Sequence, residues 1–202
     1  IPMLLSTSHI HHAFKKLKKR SQFGIILESA EPREPHHFSL LFGYGASAIN
    51  PYLVNEIISY QSEKYKMFDS PEKAIDNFNK AIAKGIIKVM NKIGISTLHS
   101  YRGAQIYEAL GLSQKIIDRF FCYTPTRIEG IGLYEIEKEI SQRHSKAFLH
   151  ESKLGLPLEI GGDYRWRRDG EAHVVNPSTI ASLQQAVRQN NPKSYEAFSK
   201  MI

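Results

Sequence analysis

The chain has 202 residues, 42% of them hydrophobic and 23% charged, with a net charge of +7 and a pI of about 9.4. That composition is enough for one large domain or two small ones with a sizeable core, and it excludes disorder over most of the length. A single cysteine, Cys122, excludes an internal disulfide and any cysteine-ligated iron–sulfur or Cys-rich zinc site made by this sequence alone, and no apolar run nears the roughly 20 residues of a membrane span.

In chain order, residues 3–20 are expected to be helical, with Leu4, Ile10, Phe14 and Leu17 on one face and lysines opposite. Phe23–Glu28 is a short apolar run and is expected to be a buried strand, a helix-to-strand order that hints at a parallel α/β sheet. One strand makes no sheet, so a larger domain is implied. His36–Phe42 fits helix or strand, with helix favoured, and Gly43-Tyr-Gly45 punctuates it. Asn50-Pro51 is expected to start a helix, Asn as cap and Pro in the first turn, through Ile58. Asp69-Ser-Pro71 is the best linker and the expected domain boundary, dividing 1–70 from 71–202.

Ser70 is expected to cap a helix carrying Ile75, Phe78, Ile82, Ile86, Val89 and Ile93, with Gly94 closing it. Helices are expected at 102–110, 113–121 and 133–149, the last turning Leu133, Ile136, Ile140, Ala147 and Phe148 inward. Leu154–Gly162 reads as loop and Tyr164–Val175 as an irregular hairpin turning at Asp169-Gly170. Asn176-Pro177 starts a further helix to about Arg188, and a short one begins near Pro192.

The basic excess is partly local, in Lys15, Lys16, Lys18, Lys19 and Arg20 and again in Arg165, Arg167 and Arg168. A solvated face is the simpler reading of the first cluster. No helix-turn-helix or aromatic RNP strand accompanies it, so neither nucleic acid nor membrane is expected as a partner. His9 and His12 share a helical face, but no third ligand stands at a sensible spacing, and a polar surface or an interdomain hydrogen bond is the expected role. Cys122, after Phe120-Phe121, is expected to be a packed thiol, although Arg119 and Arg127 lie close in sequence. Gly43-Tyr-Gly45 lacks a third glycine and a clear preceding strand, so a sharp turn outweighs a phosphate cradle.

Ser96-Thr-Leu-His-Ser-Tyr-Arg-Gly-Ala-Gln105 is different in kind. Hydroxyl, guanidinium and amide groups packed this densely suit a phosphate, a carboxylate or a tightly bonded loop. Ser100, Arg102 and Gln105 are the candidate site residues, and Ser100 also has the option of capping a helix from Arg102.

The ordered strings His36-His37-Phe38, Gly43-Tyr-Gly45, Ala48-Ile-Asn-Pro-Tyr52, Ala81-Ile-Ala-Lys-Gly85, Gly94-Ile-Ser-Thr97, Ser100-Tyr-Arg-Gly-Ala-Gln-Ile106, Glu108-Ala-Leu-Gly111, Arg127-Ile-Glu-Gly-Ile-Gly132 and Trp166-Arg-Arg-Asp-Gly-Glu171 resemble the glutamate synthase large chain over nearly the whole sequence. Departures are mild: Leu98-His99 for the family's Leu-Gln, and Tyr123-Thr124 for Gly-Thr. The resemblance implies a helix-rich α/β fold: the end of an α/β central domain (1–70), then the helical first part of a (β/α)8 FMN-binding domain (71–202). It implies an enzyme that transfers glutamine-derived ammonia reductively to 2-oxoglutarate, using FMN and a 3Fe–4S cluster. No catalytic residue and no metal ligand is carried over to this stretch. It is expected to bind neither cofactor alone and to serve as an interdomain scaffold, with Ser100, Arg102 and Gln105 as polar supports near the flavin or the ammonia route. Implied partners are the amidotransferase domain and FMN barrel of the same polypeptide, with a small electron-transfer subunit or ferredoxin, in the cytoplasm. The start at Ile-Pro fits a fragment. The rival reading is a stand-alone basic helical module for an anionic partner, whose binding would weaken steeply with salt.

Overall fold

The computed structural model describes residues 1–66, 68–148, 160–162 and 165–202. They divide into two compact units, Ile1–Ala147 and Phe148–Ile202.

In the first unit, α1 (Met3–Lys16) leads through a 3-10 turn at Arg20–Gln22 to β1 (Ile26–Glu28). α2 (Pro35–Gly43) then crosses over to β2 (Ala48–Asn50), which pairs parallel with β1 in the register Leu27↔Ile49. Parallel neighbours need such a crossover, and a helix is the usual one. The same device recurs further on: β3 (Ala109–Leu112) and β4 (Thr126–Ile131) are parallel and joined by α6 (Gln114–Phe120). Between the two pairs run α3 (Tyr52–Tyr65), α4 (Pro71–Ile93) and the single turn α5 (Leu98–Tyr101). α7 (Leu133–Phe148) follows β4. The expected helix-rich α/β character is present, and among the described residues the sheets are these two-stranded pairs.

Two apolar clusters hold the unit together. Leu5, Tyr44, Ile116, Ile117, Phe120 and Phe121 form one, joining α1, the end of α2 and α6. Ile25, Leu27, Leu41 and Ala46 form the other beneath β1 and β2. Ser8 Oγ donates to the Phe120 carbonyl at 2.5 Å, tying α1 to the end of α6 inside the first cluster. A buried hydroxyl without such a partner would cost about 1–3 kcal/mol.

Several expectations are corrected. α1 stops at Lys16, Lys18 turns left-handed (φ +56°), and the buried face is Leu5, Ser8 and His12, while Ile10 and Leu17 are exposed. The neighbouring elements, not the apolar count, chose that face. Phe23–Glu28 is strand only from Ile26, and Ile26 itself points to solvent. Asn50 does not cap α3. It belongs to β2, and its side-chain amide donates to Glu28 Oε2 at 3.1 Å. α3 continues to Tyr65. The helix expected over 102–110 is instead loop and β3, and β4 was not foreseen. No residue of α7 is buried, although Ile136 packs on the first cluster.

α4 is as expected. Ser70 Oγ accepts from Lys73 N at 3.2 Å, Pro71 occupies the first turn, and Gly94 closes the helix at φ +83°. The Asp69–Pro71 linker joins α3 to α4, and α4 packs on both α2 and α3 inside one compact unit.

In the second unit, α8 (Pro177–Gln189) and α9 (Pro192–Ser199) pack together. Asn176 and Thr179 form a reciprocal capping box at the start of α8. The described part of the expected hairpin contains no strand. Glu171 N donates to Gly161 O (2.9 Å) and Gly170 N to Arg167 O (3.1 Å), so the segment is a turn stitched by backbone bonds. Tyr164 and most of the expected 154–162 loop lie outside the described residues.

Candidate functional site

The polar segment 96–105 runs from the end of α4 through α5. Thr97, not Ser100, caps that turn: its Oγ1 accepts from Ser100 N (3.4 Å) and donates to Ser100 Oγ (2.8 Å). Ser100 therefore sits inside a local cap, exposed to solvent.

Tyr101 is the anchor. It is 1% exposed, and its hydroxyl donates to the Ser39 carbonyl of α2 at 2.8 Å. A phenol has one hydrogen, so in the short bond between the two hydroxyls Tyr107 donates to Tyr101. Tyr107 stacks on Tyr44 (centroids 6.1 Å apart), and the Tyr44 hydroxyl pairs with Thr124 Oγ1 at 2.7 Å. Burial, first among the causes, pushes all three phenols above their ordinary pKa. They are neutral structural groups. Between them the backbone docks on the end of α2, with Gly103 N donating to Phe42 O (3.1 Å) and Gln105 N to Gly43 O (3.0 Å).

Gln105 adopts φ +56°, a left-handed conformation uncommon for a residue with a side chain. Its Nε2 lies 3.0 Å from His12 Nε2, and its Oε1 is buried without a protein partner. Whichever way the amide is turned, one end keeps an open hydrogen-bonding valence. His12 is the buried histidine of α1, and burial, followed by the charge of Lys15, holds its pKa below the ordinary value.

Arg102 departs in another direction. Its Nη1 reaches Ser47 Oγ at 3.4 Å, and its guanidinium lines a cavity of about 540 Å³ together with residues of α1 and the 3-10 turn. Arg20 stands in the same wall. Its Nε donates to His11 Nδ1 (3.0 Å), Nη1 to Phe23 O (2.7 Å) and Nη2 to Gly45 O (2.6 Å). Burial, then the charge of Arg20, lowers the His11 pKa to about 4, so at neutral pH its proton is on Nε2 while Nδ1 accepts. The His11 ring is wedged against Gly45 and Gly103, both at positive φ.

Ser100, Arg102 and Gln105, close in sequence, thus address Thr97, Ser47 and His12 respectively. They do not converge on one cavity, and this divergence does not fit a flavin cradled by all three. The one cysteine, Cys122, donates its thiol to Asp118 O at 3.1 Å. His9 packs edge-on against Phe120, and among the described residues no three His, Cys, Asp or Glu side chains are grouped to hold a metal. The residues that sequence reasoning passed over are Tyr101, Tyr107, His11 and Arg20. Arg20 was hidden in a run of lysines, and the left-handed Lys18 with the 3-10 turn after it brings its side chain back to His11 and Gly45.

A family model described as the glutamate synthase central domain matches residues 1–113. The glutamate synthase [NADPH] large chain of Bacillus subtilis (strain 168) is 42% identical over 200 residues, 99% of this chain and 13% of that protein. The glutamate synthase [NADH] of Schizosaccharomyces pombe is 41% identical over 95% of this chain and 9% of its own length. The ferredoxin-dependent glutamate synthase of Pyropia yezoensis is 37% identical over 100% of this chain and 14% of its own length. The chain therefore spans 9–14% of the length of these relatives. With more than half of its residues inside the family model, and relatives above 30% identity along nearly its whole length, this chain belongs to the glutamate synthase family, through its central domain.

Proposed function

We propose that this chain is a segment of a glutamate synthase large chain and works there as a structural junction, without activity of its own. The larger enzyme transfers ammonia from glutamine to 2-oxoglutarate and reduces the product to glutamate, with FMN and a 3Fe–4S cluster held by residues outside these 202. The observation that carries this reading is the state of the sheets. Each is a two-stranded parallel pair, and Ile26, Leu110 and Ile128 project from the strands at 76%, 66% and 61% exposure. Parallel strands are normally buried on both faces, and a pair this small needs packing against helices or further strands to be stable. Further chain from the same polypeptide, the amidotransferase domain or the FMN barrel, is the natural cover.

We place the end of the central domain at about residue 113, where the family match stops, rather than at residue 70, because α4 is packed on α2 and α3. The residues beyond it are then the start of the FMN-binding domain. Ser100, Arg102 and Gln105 position the loop that the Tyr101 clamp docks on α2. Relatives named for NADPH, NADH and ferredoxin all match, which supports a reading in which these residues do not choose the electron donor, a small electron-transfer subunit or ferredoxin. The free Cys122 thiol fits a cytoplasmic setting.

A chimera tests the proposal. The corresponding 200 residues of the Bacillus subtilis large chain are exchanged for this sequence, and FMN content and glutamate formation are measured. Retained flavin and turnover within about tenfold of the unexchanged enzyme support the junction reading. A folded, flavin-loaded chimera that forms no glutamate refutes it, as does glutamate formation by the 202-residue chain alone.

A further inference from the structure

The cavity lined by Arg102 is not explained by a junction role. Lys15, Lys18, Arg20 and Arg102 wall it, His11 and His99 stand between them, and none of its lining residues is acidic. Among the described residues no ion pair involves any of the four cations. The three acceptors that hold Arg20 — an imidazole and two carbonyls — are neutral, so they fix its guanidinium without compensating its charge. Two of its five N–H groups remain unused. Among the described residues the Arg102 side chain is hydrogen-bonded to Ser47 Oγ alone, which itself accepts from Ile25 N at 3.2 Å. Lys15 lies over the Tyr123 ring, 5.6 Å from its centre. Burial and then the nearby charge of Arg102 depress the proton affinity of Arg20, a sign that the two guanidinium groups share one field.

Folding has thus brought four like charges around one concavity and oriented one of them with backbone bonds. Concave, one-signed surfaces concentrate counter-ions, and oriented guanidinium forks match the oxygens of phosphate and carboxylate. We propose that this cavity binds a small dianion bearing a phosphate or paired carboxylates, gripped by the forks of Arg20 and Arg102 with Lys15 and Lys18 supplying charge. His11 supports the grip in two ways: Nδ1 holds Arg20, and the neutral ring leaves Nε2–H as a further donor. A small anion is favoured over an acidic protein segment because the fixed Arg20 fork is half-buried in the cavity wall rather than standing out on a flat surface.

The cavity is built wholly from the first unit, so its test does not need the larger enzyme. Calorimetric titration of the 202-residue chain with inorganic phosphate, and separately with succinate, in low-salt buffer at pH 7.5 is expected to give saturable binding that sodium chloride weakens. Binding of only one of the two anions supports the proposal and names the class. Arg102→Gln, at an exposed side chain with one long hydrogen bond, is expected to keep the fold by circular dichroism and weaken binding at least about tenfold. Arg20→Lys, which keeps the charge and loses the fork, is expected to weaken it as well. Folded chain that binds neither anion overturns the proposal, as does unchanged affinity in both Arg102→Gln and Lys18→Gln. If a polyglutamate peptide binds where phosphate and succinate do not, the cavity is a docking surface for acidic chain and the small-anion proposal fails.

Discussion

Replacing Gly45 with alanine probes the joint on which the α1 turn and the polar loop both rest. Gly45 has φ +112°, and an added Cβ would overlap His11 Nδ1 and lie 3.0 Å from Cγ of the same ring. Two costs follow. The backbone conformation alone costs a residue with a Cβ about 1–2 kcal/mol. Forcing extra volume into a packed site adds about 1–3 kcal/mol. Gly94 separates the two, because its φ is +83° while an added Cβ there meets nothing within 4 Å. Gly94→Ala should show the backbone cost by itself, and Gly45→Ala should exceed it by about 1–3 kcal/mol. Urea unfolding followed by circular dichroism reads this as a midpoint about 0.5–2 M lower than that of Gly94→Ala. The clash is with one ring, so His11→Ala should cost less in the Gly45→Ala background than in wild type, a coupling that a double-mutant cycle isolates. Equal losses for the two glycine variants, or strict additivity with His11→Ala, would refute the wedge.

Two further outcomes are expected. Tyr101→Phe removes the hydroxyl that donates to Ser39 O and accepts from Tyr107, leaving the buried Ser39 carbonyl and the half-buried Tyr107 phenol without that partner; it should cost about 1–3 kcal/mol in urea unfolding, and Tyr101→Phe with Tyr107→Phe should cost less than the sum of the singles, because they share a bond. Burial, then the charges of Arg20, His12 and Lys15, holds the His11 pKa at about 4 against 6.5 for an ordinary histidine, so the unfolded chain takes a proton that the folded chain refuses. The sign is therefore a stability present above pH 6.5 and lost as pH falls to about 4, with His12 adding to it in the same direction. His11→Gln keeps an acceptor for Arg20 without titrating and should flatten that decline; identical pH profiles for variant and wild type would contradict the assignment.

How far the candidate site could be read from residues alone follows from the range of its bonds. The density of Ser, Thr, Arg and Gln between 96 and 105 marked the loop as unusual, and Arg102 does line a cavity. The partners could not be read. Gln105 meets His12 and Arg102 meets Ser47, 93 and 55 positions away, and no local rule pairs residues at that separation. The basic run Lys15–Arg20 looked like one solvated face, yet Lys18 turns left-handed and directs Arg20 back toward Gly45.

By itself the sequence determined those elements whose ends are chemical. Ser70-Pro71 and Gly94 bound α4, and Asn176-Pro177 starts α8, because capping side chains, proline and a left-handed glycine act within a turn of where they stand. It also determined family membership, through strings spread along nearly the whole chain. Only the tertiary structure decided the strands and the buried face of α1. Ala109–Leu112 had the composition of a helix end, but it is extended because β4 offers it a ladder of hydrogen bonds after the α6 crossover. Asn50 had the look of a cap and became a strand residue opposite Glu28. Helix ends are satisfied by neighbours in sequence, whereas strand edges and helix faces are satisfied by whatever the rest of the fold brings alongside.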